Sequence, residues 1–568
     1  MSSTYEELSA QLRQQVNSKL RLDDYDWDSE YPAGSDVRRA AERVLTPRQL
    51  EITSMDATAL LKQIATSKVT AVEALMAFGA RTAVAHRLTC CLTDLFIDEA
   101  LQQARQLDQH LKETGTTVGP LHGLPISAKA RSFPICDQVQ LKGRITSLSF
   151  LSLHLRAKPE EQDCLLADVL RSSGAIFFNH TTLPQSIMHL ESSSFWTGAT
   201  GTRNPYNTLL SSGGSSGGEG AVLGMRGALI GIGSKSAFAN FADIGGSVRS
   251  PAAACGLYGL RPTALRVPGV ATYKVGRETI MGTAGPMAHS ARDIELFMSV
   301  VLGDRNKVWL RDPNVLEMPW RCGRRGEWQD GSRKLRIGIM WEDGEVRPTK
   351  PIERAMRTVV QQLQKSDQVE VKDFAAYGTR EAWYLARELY FPDGGRRIRD
   401  LTINSDTQEP LHPLTLWLLD ESGPVLKEKT PAEIWEARTT GRRDVFRKRY
   451  RQHWLDQEID VLLCPNAPYP APPHGTAKWW AYTSHFNVVD YPAVTFPLDL
   501  QVDPALDAVN SRDYFDPRND DEAVAHADYS PERYRNAPLC LQLVGRRFHD
   551  EEVLDALQVI ETVLAQTL

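Results

Sequence analysis

Short apolar runs alternate with helical patterns along most of this 568-residue chain, and this alternation restricts its fold more than any other feature. Apolar residues at helical spacing predict helices at 352–363 and 554–563. Such alternation is typical of an α/β fold with a largely parallel sheet. The runs that we predict to be buried strands are 175–178, 335–340, 459–464 and 539–544.

The chain divides unevenly. Residues 1–45 are polar and charged, which predicts a surface arm with a short helix. A capping box at Thr70–Glu73 predicts the start of a further helix. Because we find no repeat and no linker after residue 45, we predict one domain over 46–568. Residues 501–537, rich in Asp, Pro, Asn and Arg, are predicted to form a long surface excursion.

Composition and charge exclude several classes of function. The net charge is −6 with no basic block, whereas a nucleic-acid partner requires a clustered basic surface. Eight cysteines form no Cys-x-x-Cys or zinc-like spacing, which predicts buried, reduced thiols. The chain starts with no signal-peptide pattern, and no apolar run reaches the roughly 18 residues of a membrane helix. We therefore predict a cytoplasmic protein with no membrane anchor, metal or cofactor.

The stretch Gly-Gly-Ser-Ser-Gly-Gly-Glu-Gly at 213–220 is the first candidate site. A phosphate-binding loop would end in Gly-Lys-Ser/Thr, but Glu219 stands near its end and would repel phosphate. A nucleophile elbow centred on Ser216 would follow a buried strand, but turn-forming residues precede it. A flexible linker is disfavoured because the apolar run 221–225 follows at once.

Two further motifs favour another interpretation. At 243–249, Asp-Ile-Gly-Gly-Ser-Val-Arg places small residues before a serine, so that several N–H groups can point at one oxyanion. At 121–129, an apolar extended run ends in Lys129. A lysine buried among apolar groups loses proton affinity and can act as a base near neutral pH.

Together, the motifs at 122–129, 213–218 and 243–249 resemble the amidase signature family of Ser–Ser–Lys hydrolases. The resemblance extends over about 45–568. It implies an α/β/α sandwich with a large mixed, mostly parallel sheet covered by helices. The stretches 195–198 and 482–487 look most like those of fungal acetamidases and general amidases. Glu219 disfavours an amidotransferase subunit.

The resemblance also implies a role for each site residue. Ser247 would be the nucleophile, Ser215, at a cis peptide bond, would relay the proton, and neutral Lys129 would accept it. The implied supporting groups are the N–H groups of Ile244, Gly245, Gly246 and Ser247 as the oxyanion hole, with Ser216, Asp243 and Arg249 as structural support. No cofactor or metal is implied.

Two segments depart from the family pattern. Residues 130–136 follow Lys129, and residues 235–242 precede Asp243; removing both restores the pattern. They are either insertions that shape the pocket or artefacts of gene prediction, and both readings question the distance between Lys129 and Ser215. The leading prediction is a homo-oligomeric amidase that acts on small or medium carboxylic amides. The alternatives are a catalytically impaired family member and a fatty-acid-amide hydrolase.

Overall fold

The computed structural model describes most of the chain: residues 4–20, 22, 25–129, 141–144, 150–233, 243–268, 279–321, 327–328, 330–438, 442–508, 516–527 and 529–565. Within these residues, the strands β1 to β11 are Leu92–Leu95, Pro125–Lys129, Ile176–Thr181, Ile230–Gly233, Tyr258–Arg261, Gly285–Ala288, Leu335–Ile339, Val369–Asp373, Val461–Pro465, Ala493–Gln501 and Pro538–Val544.

The helices α1 to α21 of the described residues are Tyr5–Asn17, Trp27–Glu30, Pro47–Ser54, Ala57–Ala65, Ala71–Thr89, Ile97–Thr114, Leu151–His154, Leu165–Ser172, Gly217–Gly224, Arg249–Ala254, Ala291–Val301, Val308–Arg311, Lys350–Leu363, Thr379–Tyr390, Arg396–Leu401, Pro413–Leu416, Pro431–Arg438, Arg443–Asp456, Ala481–Val489, Asp520–His526 and Asp550–Ala565. Short 3₁₀ turns lie at Ala40–Arg43, Gln185–Ile187 and Gly198–Thr200, and a π-helical turn lies at Trp417–Glu421.

The strands form one sheet in the order β1-β3-β2-β4-β6-β5-β10-β11-β9-β7-β8. The sheet is mixed, as predicted, but the prediction that it is mostly parallel is wrong. Parallel pairing is confined to β3-β2-β4 and β9-β7-β8, and the remaining neighbours are antiparallel. Apolar runs do not reveal strand direction, because a strand buried on both faces has the same composition in either orientation.

Helices cover both faces of this sheet, which confirms the α/β fold class. Every residue of β2, β3, β9 and β11 is buried. Because successive side chains of a strand point to opposite faces, a strand buried throughout needs cover on both sides. Among the packed helices, α9 contacts β2, β3 and β4, and α10 contacts β5, β10 and β11. These two helices carry the serine motifs to the sheet.

The predicted elements are found close to their predicted positions. The four predicted strands correspond to β3, β7, β9 and β11, and the predicted helices to α13 and α21. The capping box is also present: Thr70 Oγ1 accepts from Glu73 N at 3.0 Å, and Thr70 N donates to Glu73 at 2.8 Å. This pairing satisfies N–H groups at the start of α5. The first N–H groups of a helix have no carbonyl partner within the helix itself.

The N-terminal arm and the late excursion both contact the rest of the protein. Trp27 is buried, and Val37 N donates to Pro205 O at 2.9 Å. In the excursion, Arg354 pairs with buried Asp507 at 2.7 Å. Residues 509–515 and 528 of the excursion lie outside the described part. No helix among the described residues is long and apolar enough to cross a membrane.

Candidate active site

Three residues that lie far apart in the sequence form one chain of hydrogen bonds. Lys129 Nζ donates to Ser215 Oγ at 2.6 Å, and Ser215 Oγ donates to Ser247 Oγ at 2.8 Å. Hydroxyl groups and a neutral amine can both donate and accept, so rotation of their hydrogens lets the same contacts run from Ser247 toward Lys129. The structure therefore brings Lys129, Ser215 and Ser247 together with proton-transfer geometry.

The fold holds each of these residues at the end of an element. Lys129 is the last residue of β2, between β3 and β4. Ser215 follows the cis peptide bond Gly214–Ser215 just before α9, and Ser247 lies just before α10. Gly214 has no side chain for a steric reason, since a Cβ there would lie 2.6 Å from Glu191 N. The glycine allows the loop that carries Ser215, here called the relay loop, to approach the 190–192 backbone closely.

Lys129 has the environment of a neutral amine. It is 1% exposed, and among the described residues its only hydrogen-bond partner is Ser215. Burial lowers the pKa of Lys129 to about 7, against the weaker opposing effects of Glu219 and Asp243. An ammonium group has three hydrogens, and within the described part of the chain the structure shows an acceptor for one of them. The side chain can therefore accept a proton near neutral pH.

Asp243 and Arg249 fasten the loop that carries Ser247. The Asp243 carboxylate accepts from Arg249 Nε at 2.9 Å and Nη2 at 2.8 Å, and both side chains are fully buried. Burial alone would raise the pKa of Asp243, but the charge and hydrogen bonds of Arg249 outweigh it and hold that pKa at about 2. The pair is therefore permanently ionised, as the structural role implied by the resemblance requires.

Side chains from distant elements hold the carbonyl groups of the same loop. Tyr390 Oη donates to Ile244 O at 2.6 Å, and Thr483 Oγ1 donates to Gly245 O at 2.6 Å. Asn487 Nδ2 donates to Asp243 O at 2.6 Å. The sequence analysis missed these roles. Thr483 and Asn487 lie four residues apart on one face of α19, a spacing that could have suggested joint action.

The N–H groups of the loop differ in their availability. Within the described residues, those of Ile244, Gly245 and Ser247 donate to no protein atom. That of Gly246 donates to Asp243 Oδ1 at 2.9 Å, so this structure differs from the expectation that Gly246 is an open donor. The carboxylate that fixes the loop occupies this one N–H, while the other three have no acceptor among the described residues.

Among the residues that the structure describes, Ser216 has no hydrogen bond of the supporting kind that the resemblance implied. Its Oγ is buried and has no partner within the described part of the chain. Ser192 supports the relay loop instead. Its Oγ accepts from Gly217 N at 2.8 Å and donates to Ser215 O at 3.4 Å. This serine lies upstream of the motif, and nothing in its local sequence marked it.

The segments 130–136 and 235–242 lie outside the described residues. The residues on their borders are described, and Lys129 and Asp243 make the contacts given above. The distance from Lys129 to Ser215, which the sequence analysis put in question, is therefore that of a hydrogen bond.

A cavity of about 40 Å³ lies beside the serine loops. Leu190 and Trp480 line this cavity and also lie against the serine loops. A Cβ on Gly214 would contact Leu190, and a Cβ on Gly245 would contact Trp480. Ser250 on α10 also lines the cavity. Four further aromatic side chains, those of Trp196, Trp479, Tyr482 and Phe486, are buried, and of these Trp479 lines the same cavity.

Comparison with known proteins agrees with this site. The family model described as Amidase matches residues 73–554, and the chain belongs to the amidase signature family. A Schizosaccharomyces pombe protein that is named among the amidases is 42% identical over 525 residues, or 92% of each chain. An acetamidase of Aspergillus oryzae is 34% identical over 574 residues, covering 99% of both chains.

Solved structures share the fold. One described as a fatty acid amide hydrolase superposes with a TM-score of 0.87 and 34% identity, over 99% of this chain and 94% of the other. A bacterial aryl acylamidase superposes with a TM-score of 0.67 over 90% and 96% of the two chains, at 17% identity. The latter likeness concerns the fold alone. The protein is therefore an amide hydrolase by family and architecture.

Proposed function

We propose that this amide hydrolase cleaves small or medium carboxylic acid amides, releasing the carboxylate and ammonia, through a Ser–Ser–Lys relay. The observation that carries the proposal is the unbroken chain from Ser247 through Ser215 to a buried Lys129. An isolated serine hydroxyl is a weak nucleophile and needs an adjacent base, which this chain supplies.

In the first half-reaction, Ser247 Oγ attacks the amide carbonyl carbon. The Ser247 proton passes to Ser215 while the Ser215 proton passes to Lys129, so that one proton moves to the amine in total. The N–H groups of Ile244, Gly245 and Ser247 receive the developing oxyanion. When the tetrahedral intermediate collapses, the C–N bond breaks and the relay returns the proton to the nitrogen, which leaves as ammonia.

In the second half-reaction, water attacks the ester formed on Ser247. Its proton enters the same relay, and collapse of the second intermediate breaks the bond between the acyl carbon and Ser247 Oγ. The product leaves as the carboxylic acid, which ionises in solvent to the carboxylate, and the proton held by the relay returns to Ser247. The enzyme thus ends in its starting protonation state, and the described residues supply every group that these steps use.

The relatives favour a small substrate. Acetamidases of Aspergillus oryzae and Emericella nidulans cover 99% or more of this chain at 34% and 33% identity. Their names point to a short acyl chain.

Substitution of the nucleophile tests the proposal. Ser247→Ala should abolish both the hydrolysis of acetamide and covalent labelling by a fluorophosphonate probe. Ser173→Ala is the matched control, since Ser173 is also buried and its hydroxyl donates to Val169 O at the end of α8, away from the relay. Labelling that persists in Ser247→Ala would contradict the assignment of the nucleophile.

A fatty-acid-amide hydrolase is the second candidate, favoured by the structural neighbour of that name. A panel of acetamide, benzamide and long-chain amides separates the two candidates. We expect kcat/KM to be highest for the short amides, and a maximum at the long-chain amides would favour the second candidate.

A catalytically impaired family member is the remaining alternative. The same panel tests it, together with a chain that lacks 130–136 and 235–242. Hydrolysis by the full chain supports our proposal, and hydrolysis only by the shortened chain supports impairment. The cytoplasmic location and the homo-oligomeric state stay predictions.

A further inference from the structure

A buried carboxyl group that the relay does not use lies close to it in the fold. Glu219, on α9, has no exposed surface. Its Oε1 accepts from Ser127 Oγ at 2.9 Å and from Thr181 Oγ1 at 2.6 Å. Its Oε2 lies against β4, where a Cβ on Gly231 would be only 2.2 Å away. Glycine at 231 therefore makes room for the carboxyl group.

The sheet register places this carboxyl group on the same side as Lys129. Ser127 and Lys129 are two residues apart on β2, so their side chains share one face. Thr181 on β3 is the register partner of Lys129. Since Glu219 bonds to both Ser127 and Thr181, its carboxyl group lies on the face from which the Lys129 side chain projects.

Few other charges act on this pair. Within the described residues, neither Lys129 nor Glu219 has an ion-pair partner within 4 Å. The next charged group on the Ser247 loop, Asp243, is neutralised by Arg249. Burial raises the pKa of the Cys91 thiol, just before β1, so this group stays uncharged. Asn179 on β3 adds only an uncharged amide, which accepts from Ser127 Oγ at 2.7 Å.

We propose that Glu219 is a positioning residue that sets the pH at which Lys129 gains its proton, by holding an ionisable carboxyl group beside it. The inference rests on the proposed function, since it concerns the base of that relay. Glu219 touches neither Ser215 nor Ser247 and acts only through Lys129.

The transfer of a proton to Lys129 explains how this carboxyl group acts on the relay. When Ser247 attacks, Lys129 becomes an ammonium ion at a buried position, where an unpaired charge is costly. A carboxylate on the same face favours that ammonium form. Burial raises the pKa of Glu219 to about 7, whereas Thr181, Ser127 and Lys129 lower it, so the group can ionise over the pH range in which Lys129 titrates.

The test is the pH dependence of kcat/KM for acetamide in Glu219→Gln. Activity requires neutral Lys129, so the wild-type profile should fall on the acid side as Lys129 becomes protonated. Removing the carboxylate should move this acid limb to lower pH by about one pH unit. Thr181→Val should move it in the same direction by less, because the carboxylate loses one hydrogen bond that favours its ionised form.

Glu409→Gln is the matched control. Glu409 is also buried, and burial raises its pKa to about 7, but it bonds to Gln185 and Leu151 N and not to any neighbour of Lys129. The acid limb of the kcat/KM profile of Glu409→Gln should stay at the wild-type pH. Circular dichroism shows whether Glu219→Gln is folded. If it is not, the acid limb of Thr181→Val decides whether the carboxyl group of Glu219 acts on Lys129.

The outcomes separate the inference from the proposed function. An acid limb that is unmoved in the folded variants would overturn the role of Glu219. An equal movement in Glu409→Gln would also overturn it, since a purely structural effect would be indicated. If Ser247→Ala keeps wild-type hydrolysis, the proposed function itself fails, whatever the limb does.

Discussion

Two buried pairs of charged side chains stand side by side in this protein, and they differ in one respect. Asp243 and Arg249 meet at hydrogen-bond distance, and the loop backbone satisfies the carboxylate further. Lys129 and Glu219 are equally buried, but within the described residues neither has an ion-pair partner. We call the first a closed pair, because its two members form hydrogen bonds with each other. We call the second an open pair, because its two members do not form an ion pair with each other.

This difference decides what each pair can do. Pairing holds the pKa of Asp243 at about 2, far from neutrality, so that the group keeps its charge and fixes a loop. Burial without pairing moves the pKa of Lys129 and that of Glu219 to about 7, where protons are exchanged readily. In the mechanism that we propose, the closed pair holds the Ser247 loop in place and the open pair exchanges protons.

The strongest test of the open pair removes its base. Lys129→Met should lower kcat for acetamide by about 10³-fold or more, since a positioned general base contributes about 10²–10⁴-fold. Lys365→Met, at an exposed helix end, is the control and should keep wild-type kcat. A loss below tenfold in Lys129→Met would show that another group accepts the proton.

The closed pair is tested by breaking it. Arg249→Met leaves Asp243 buried and unpaired, which should lower the free energy of unfolding by about 3–5 kcal/mol. Urea denaturation measures this loss. The double variant Asp243→Asn/Arg249→Met should lose less than the sum of the two single variants. Full additivity would mean that the two side chains do not act as a pair.

Lys129→Met should also change stability, in the opposite direction from Arg249→Met. Burial depresses the pKa of Lys129 below its unfolded value, so the unfolded chain binds more protons between about pH 7 and 10.5. Wild-type stability contributed by this group therefore rises across that window. The variant should be more stable by about 1 kcal/mol or more near pH 7, and the gain should fade toward pH 10.

Thermal unfolding at pH 7 and pH 10 checks this prediction. If the variant is less stable than wild type at pH 7, burial of Lys129 does not lower the free energy of unfolding of the wild-type protein, and the prediction is wrong. The comparison with Arg249→Met is informative because both changes replace a buried basic side chain by the same apolar residue.

The smallest effect concerns the anchors of the closed loop. Thr483→Val removes the hydroxyl that donates to Gly245 O and leaves a side chain of the same shape. Loss of one such bond is worth about 1 kcal/mol, which is about a fivefold decrease in kcat. KM should change little, since the loop acts on the oxyanion. A larger effect on KM than on kcat would contradict this role.

The chemistry of the site was predictable from the sequence where motifs carry it. Lys129, Ser215 and Ser247 each stand in a local pattern, and the structure brings all three within hydrogen-bond distance. The strands at 335–340 and 539–544 were predictable because burial produces continuous apolar runs. Strand direction was not, since it depends on which strands pair and not on local composition.

The supporting residues were not predictable for a different reason. Tyr390 and Thr483 act on loop carbonyls from 146 and 238 residues away, and one sequence does not reveal such pairings. Glu219 was visible in the motif, but its proximity to Lys129 follows only from the register of β2 and β3. Ser216 resembled a supporting residue, yet its orientation depends on the turn into α9.

The most direct test of the account is the titration of Lys129 itself. Lysines labelled with ¹³C at the ε position would be followed by NMR between pH 5 and 11, and Lys129→Met would assign the signal. The account predicts one lysine that titrates at about pH 7, well apart from the exposed lysines near pH 10.4. A Lys129 signal that titrates with the exposed lysines would contradict the claim that the open pair supplies the base.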